Sequence, residues 1–396
     1  MRHYRYIFLL TLSLVLLGPT TAAAQENDDV GKRKSGILTP IKWLGRFIDT
    51  LSVRGIDQNY IEVPKRPWQV ILRGNINQSD LKLKSKVNGE ELFAETVGEL
   101  RWEPRIMTDP SIYTGFWAGY RGYGFGYSWN VAGDKGRYLT FGAMGGSYGV
   151  NLRIHTIKSD EPEVFIAGTF RGFSDDGEDE QIEYQEETMP YILFNPIRIR
   201  TLMLDGYYMF NGKRFSYAAA YDQSTIQRRS AGSFMAGFMY YHSHINYAFD
   251  LNADFILMMN DIGRIKQWQG SAGVGYAYNY VPVKGMLISA FAMPMLTLYN
   301  RNKIWKYDSP YRQKALDEQI HDDDLEIEDY LITPMSSENT HSNMTFNFDA
   351  RLSFTYQLGR YFLNAYGQFS NFHYRSNNVK GRLNDWFVNA SLGVRL

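Results

Sequence analysis

The sequence predicts an all-β fold, a transmembrane antiparallel β-barrel of about 12–14 strands with a short N-terminal amphipathic helix. The first observation behind this is alternation. Met344, Phe346, Phe348, Ala350, Leu352, Phe354, Tyr356 and Leu358 are apolar, while the residues between them, Thr345 to Gln357, are polar or charged. A period of two makes a strand with one greasy and one wet face. The run is long enough to cross a bilayer, which takes roughly 9–11 residues, and exceeds the usual soluble strand of about 5–6. The second is composition: aromatics are 15% of the chain, with 29 Tyr, 8 Trp and 35 Gly, which suits aromatic girdles and tight bends in a barrel wall. The third is that the chain stops on a strand, Trp386 to Leu396, as expected of a last strand that pairs back to the first.

Taken in order, residues 1–24 read as a signal peptide. Arg2 and Arg5 precede the apolar run Ile7–Leu17, which is too short to span, and Ala22-Ala23-Ala24 offers a cleavage site near Ala24. Residues 25–66 read as a periplasmic segment. Within it Thr39-Pro40 starts a short helix with Ile41, Leu44, Ile48 and Leu51 on one face. Residues 67–396 are the expected barrel. Trp68–Ile76 is its first strand. Lys82, Lys84 and Lys86 alternate with Leu81, Leu83, Ser85 and Val87 in the next, and a lysine against lipid costs roughly 2–4 kcal/mol near the midplane. They are therefore expected inside the lumen or beyond the membrane.

Ser111–Asn130 reads as two strands turning near Arg121-Gly122, and Tyr138–Ile157 and Val164–Phe170 as further strands. The glycines of Gly122–Gly126 lack the spacing of a nucleotide loop. Asn211-Gly212 signals a hairpin, with Phe215, Tyr217, Ala219 and Tyr221 on one face of the following strand. Ala231–Tyr247 carries Met and aromatics on both parities, which leaves its faces unassigned. Asp250–Gly263 is irregular. Long acidic loops are expected near 173–188 and 300–341.

Three stretches, Asp57-Gln58-Asn59-Tyr60-Ile61, Asn211 to Tyr217, and Gln227 to Ser233, resemble a family of uncharacterised secreted bacterial proteins catalogued as a domain of unknown function. The resemblance would span Val53 to Leu396. It implies an outer-membrane barrel and brings no activity or catalytic residue.

The chain has 42 basic and 42 acidic residues, so nothing suggests a nucleic-acid partner. With no cysteine, thiolate catalysis, disulfides and cysteine metal sites are excluded, and no cofactor is expected. The expected partners are outer-membrane lipid and lipopolysaccharide, with the barrel-assembly machinery during insertion. Asp222, Asp349, Arg351, Arg395 and Arg153 fall on wet faces and are expected to line the lumen, either selecting solutes in a narrow pore or filling a plugged barrel. His242-Ser243-His244 raises a lipid-modifying enzyme on the outer wall, with Ser243 as nucleophile. Neighbours along a strand point to opposite faces, so its base would have to be remote: His155, His341 or His373. Asp322, Asp323 and Asp324 form a weak candidate for a hard cation. The expected location is the cell outer membrane, and the leading function a non-enzymatic pore, structural or surface-binding barrel.

Overall fold

The computed structural model describes residues 55–88, 96–133, 136–173, 179–316, 325–341, 344–375 and 379–396. The signal peptide, the helix expected from Thr39 and the Asp322–Asp324 run lie outside them. Twelve antiparallel strands form the wall: β1 (Trp68–Asn88), β2 (Ser111–Tyr120), β3 (Tyr123–Ala132), β4 (Arg137–Met144), β5 (Tyr148–Ser159), β6 (Ile197–Met209), β7 (Ala231–Asn246), β8 (Ile262–Tyr280), β9 (Met286–Asp308), β10 (Phe346–Leu358), β11 (Tyr361–Arg375) and β12 (Val379–Arg395). Each pairs with the next, and β12 pairs back to β1 from Gln69↔Arg395 to Ser85↔Val379. The sheet is a closed barrel, a form with no unpaired edge.

Closure sorts the side chains. In β10 the apolar row Phe346, Phe348, Leu352 and Phe354 points outward and is exposed, while Asn347, Asp349, Arg351, Ser353 and Thr355 are buried inside. Val70, Leu72, Phe116, Phe238, Val274 and Leu392 continue the outer apolar belt. A soluble protein has the reverse order, so this is the pattern of a barrel that meets lipid outside. No helix among the described residues is long and apolar enough to cross a membrane.

The two ends differ. At one end the connections are short: 121–122, 145–147, 281–285 and 359–360. At the other, β1 and β9 run on beyond the barrel. The strands Thr96–Met107 and Thr333–His341 pair with their extensions, and Glu163–Phe173 and Asp179–Pro190 widen the sheet. Lys84 and Lys86 lie on this extension, point outward and are largely exposed, so they do not enter the lumen. An apolar cap sits at this end, with Leu100, Trp102, Ile166, Ile197, Tyr247 and Phe255 at its core.

The connection 210–230 at the short-turn end departs from expectation. Asn211-Gly212 does form a turn, but no hairpin strand follows. Tyr217–Tyr221 is a one-turn helix, α1, whose cap Ser216 accepts from the Ala219 amide at 3.1 Å. The reason lies in Ala218-Ala219-Ala220: alanine is the strongest helix former, and the apparent alternation came from two tyrosines four apart on one helical face. All five helix residues are buried, and α1 fills the lumen as a plug. Met235, Met239 and Met293 line the wall it packs on. This explains the unassigned strand 231–247, where methionines meet the plug on the inner face while Phe234 and Phe238 point outward.

Inside β2 and β3, Trp117 lies over Gly119 and Gly124, which face each other across the ladder. A Cβ on either would fall 2.0 Å from the indole. Gly124→Val should lower stability by about 1–3 kcal/mol, as overpacking does, read as a lower urea midpoint in detergent. In the cap, burial raises the Asp254 and Asp261 carboxyls above their ordinary range, and Arg312, 2.9 Å from Asp261, offsets part of this. A carboxyl raised in the folded state stabilises it fully only below its unfolded pKa, and that contribution is lost as pH rises through the folded value. Hydrogen exchange at Ala253–Met258, corrected for intrinsic rates, should therefore become faster as pH rises out of the ordinary carboxylate range.

Candidate functional site: the charged lumen

The wet faces of β5, β6 and β10 meet the plug in mid-barrel. Arg351 on β10, 6% exposed, is the hub. Its guanidinium lies 3.1 Å from Asp349 and 3.1 Å from Asp205 on β6, and it donates to the hydroxyls of Tyr207 on the wall and Tyr217 on the plug. Tyr207 donates to Asp349 at 2.7 Å, and its ring and that of Phe291 lie beside the guanidinium at 4.8 and 5.1 Å. The other Asp349 oxygen accepts from Gln368 at 3.0 Å and Ser370 at 3.3 Å. Asn151 donates to Asp205 at 2.8 Å. Arg153 stands 3.9 Å from Asp205 and 4.9 Å over the Phe387 ring. Two arginines and two aspartates thus share one buried layer.

The plug is fastened to the wall mainly through its backbone. Asn279 on β8 donates to Ser216 O at 2.9 Å, and Asn364 on β11 to Ala220 O at 3.0 Å. Gln69 on β1 and Arg395 on β12 both donate to Gln223 O, at 2.6 and 2.8 Å. These carbonyls are buried, and each would cost about 1–3 kcal/mol if left unmade. Below α1, Gln227 accepts from Ser216 N and donates to Arg214 O and Arg229 O. Ile61–Glu62 pairs with Ile226–Gln227, and Tyr60 sits between Arg214 and Arg229 at 5.0 and 5.8 Å. The three stretches that carry the family resemblance therefore meet at one place, the base of the plug.

The expected lumen residues all lie inside the barrel, with one correction. Asp222 is not on a strand. It is the C-cap of α1, 3% exposed, with one oxygen accepting from Ser224 N at 2.8 Å. Arg395 grips Gln223 and Gln357 and stacks on Phe362, so it secures the plug. Ser243 is 3% exposed and faces the lumen, not the outer wall; His242 and His244 take the outward face. The β7 register dictates this, because Met235, Met239 and Tyr241 share its parity inside. Of the remote histidines, His155 is also inside, 2.8 Å from the Tyr113 hydroxyl, with Thr201 between it and Ser243 in the ladder. His373 points outward, its Nδ1 2.7 Å from Phe346 O, and His341 lies on the outer strand paired to β9. Among the described residues no group of His, Cys, Asp and Glu is arranged to hold a metal.

Asp205 is the residue that sequence reasoning missed. Its strand carries apolar residues on both faces, so alternation gave no signal. The signal that existed was a carboxylate in the apolar run Leu202–Met203–Leu204, which in a lipid-crossing strand must turn inward.

Removing one member of a buried ion pair strands its partner, at a cost of about 3–5 kcal/mol. Arg351→Met should destabilise by that order, and adding Asp349→Asn should recover part of the loss, both read from urea midpoints.

No curated protein matches the chain. Similar solved structures include the outer-membrane protease OmpT of Escherichia coli, 7% identical over 83% of this chain and 97% of that one, with a TM-score of 0.38. The β domain of the Bordetella autotransporter BrkA is 10% identical over 83% and 99%, at 0.27. The toluene transporter TodX of P. putida is 7% identical over 87% and 95%, at 0.23. At such similarity no activity passes to this chain. Sequence membership is firmer: the model of a domain of unknown function, DUF4421, matches residues 55–395, and the chain belongs to that family.

Proposed function

We propose that the protein is an outer-membrane barrel, closed at rest, that acts through its surfaces and not as an open pore. The apolar outer belt supports the membrane, and the short turns mark the periplasmic end. The carrying observation is the bond of Arg351 to Tyr217: the charged layer expected to select solutes is instead spent on the plug. Between plug and cap lie cavities of about 50 Å³, lined by Arg73, Asp222 and Tyr366, and about 30 Å³, lined by Tyr138, His155 and Asp385. These have room for a few waters and not for a solute. The enzyme reading loses its support, because a lipid hydrolase built on Ser243 would need that side chain on the lipid side.

A gated narrow pore for small hydrophilic solutes is the second reading, favoured by the polar inner rows Asn75, Asn77, Asn347 and Asn389. Planar-bilayer conductance separates the two. The refolded protein should be silent, and a variant with 211–230 replaced by a short turn should open steady channels whose ion selectivity shifts with Asp349→Ala. Steady conductance from the unaltered protein would refute closure and establish the pore.

A further inference from the structure

The outward faces of β5 to β9 carry a second charged array, which the lumen does not use. The register aligns it in rows. The outermost is Lys158, Arg198, Asn246, Arg264 and Trp305. The next is Thr156, Arg200, His244, Lys266 and Lys303, and the third is Ile154, Leu202, His242, Trp268 and Arg301. Seven lysines and arginines and two histidines occupy this face without a carboxylate among them. None of the seven forms an ion pair among the described residues; Arg264 and Arg301 bond only to the amides of Asn246 and Asn339. Lys266 and Lys303 stand directly opposite each other, an arrangement that destabilises a sheet when nothing neutralises it. Trp305 gathers Arg264, Lys266 and Lys303 at 5.5, 5.1 and 4.8 Å, and Trp268 gathers Arg301 at 5.8 Å and stacks on His242.

Position decides what this face meets. It lies at the long-loop end, on the outward face of the wall, with Trp305 packed at the edge of the cap. The next row toward the short turns is Leu152, Leu204, Tyr240, Gly270 and Tyr299, where the apolar belt begins. A ligand seated here presents negative charge to the upper rows and hydrocarbon to the lower ones. Five strands at about 4.8 Å and rows about 6.7 Å apart give a patch about 20 Å wide, larger than one phosphate. The wall around β1 and β12 is basic too, but there Glu103 lies 2.8 Å from Lys84 and Asp80 lies 2.9 Å from Arg105. Among the described residues the β5–β9 face holds no such counter-charge.

We infer that this face is a binding site for a phosphorylated lipid of the outer leaflet, with headgroup phosphates on Arg200, Lys266, Lys303 and Arg264 and acyl chains along Tyr240 and Tyr299. The inference rests on the membrane reading above and adds a ligand class to it.

The test uses the full refolded chain in neutral detergent micelles doped with diacyl phosphatidate or with diacylglycerol of the same chains, read by native mass spectrometry. Folding of each protein is checked by heat-modifiable gel mobility. The unaltered protein should retain phosphatidate over diacylglycerol, and excess inorganic phosphate should not displace it. The triple variant Arg200→Gln, Lys266→Gln, Lys303→Gln should bind about a hundredfold more weakly, since each cation near a membrane surface contributes about tenfold or a little less. The variant Lys82→Gln, Arg382→Gln on the opposite wall should bind as the unaltered protein does. Equal retention of the neutral lipid, or a folded triple variant that binds phosphatidate undiminished, overturns the site. Full displacement by inorganic phosphate overturns the lipid in favour of a free anion. A protein that folds but never partitions into bilayers overturns the membrane reading itself, whereas insertion without phosphate discrimination overturns this inference alone.

Discussion

The return of β12 to β1 is the constraint on which the rest of the molecule depends. Inside hydrocarbon a backbone N–H or C=O has no water to bond, so a sheet that crosses must have no edge. Seventeen residue pairs, Gln69↔Arg395 through Ser85↔Val379, complete the ring. Once it is closed, every side chain is either inside or outside, and the pleat decides which. A register slip of one residue on β10 would turn Asp349 and Arg351 to the lipid and Phe348 and Leu352 to the lumen. The hydrophobic pattern and the closure therefore enforce each other.

Closure also creates a problem that the interior has to solve. Rows of Asn, Gln, Ser and charged residues pointed inward need partners, because a buried polar group without one is costly. The plug supplies them. Its carbonyls take the amides of Asn279, Asn364 and Gln69 and the guanidinium of Arg395, and its Tyr217 takes Arg351. The need is mutual, since a one-turn helix has few hydrogen bonds of its own and would not persist alone in water. The N-terminal residues Tyr60–Glu62 join the same assembly by pairing with the plug, so the base of the plug is tied to both ends of the barrel-forming chain.

Legibility in the sequence followed from how many demands each strand met. β10 and β12 answer only to lipid outside and a polar interior inside, so their period of two could be read directly. β6 and β7 answer also to the plug, which wants methionine and tyrosine against α1, and an inner row of Met235, Met239 and Tyr241 erases the contrast between faces. Asp205 disappeared for the same reason. The plug itself was misread because Tyr217 and Tyr221 fit both periods, and only the alanines between them favoured the helix. That Ser243 faces the lumen could not be foreseen without the neighbouring strands, because the face of β7 is fixed by register to β6 and β8 and not by its own residues.

The two charged regions obey opposite rules. The lumen layer is buried inside the ring, and its charges are matched within the chain: Arg153 and Arg351 stand beside Asp205 and Asp349. The cations on the outer face of β5–β9 have no such match among the described residues. A chain with equal numbers of acids and bases has enough carboxylates to neutralise that face. Among the described residues it sets them elsewhere: Glu103, Asp80 and Glu62 pair on other strands, and Asp261 and Asp329 pair within the cap. The segregation is a property of the register, since a shift of β8 against β9 would break the facing of Lys266 on Lys303 and of Arg264 on Trp305.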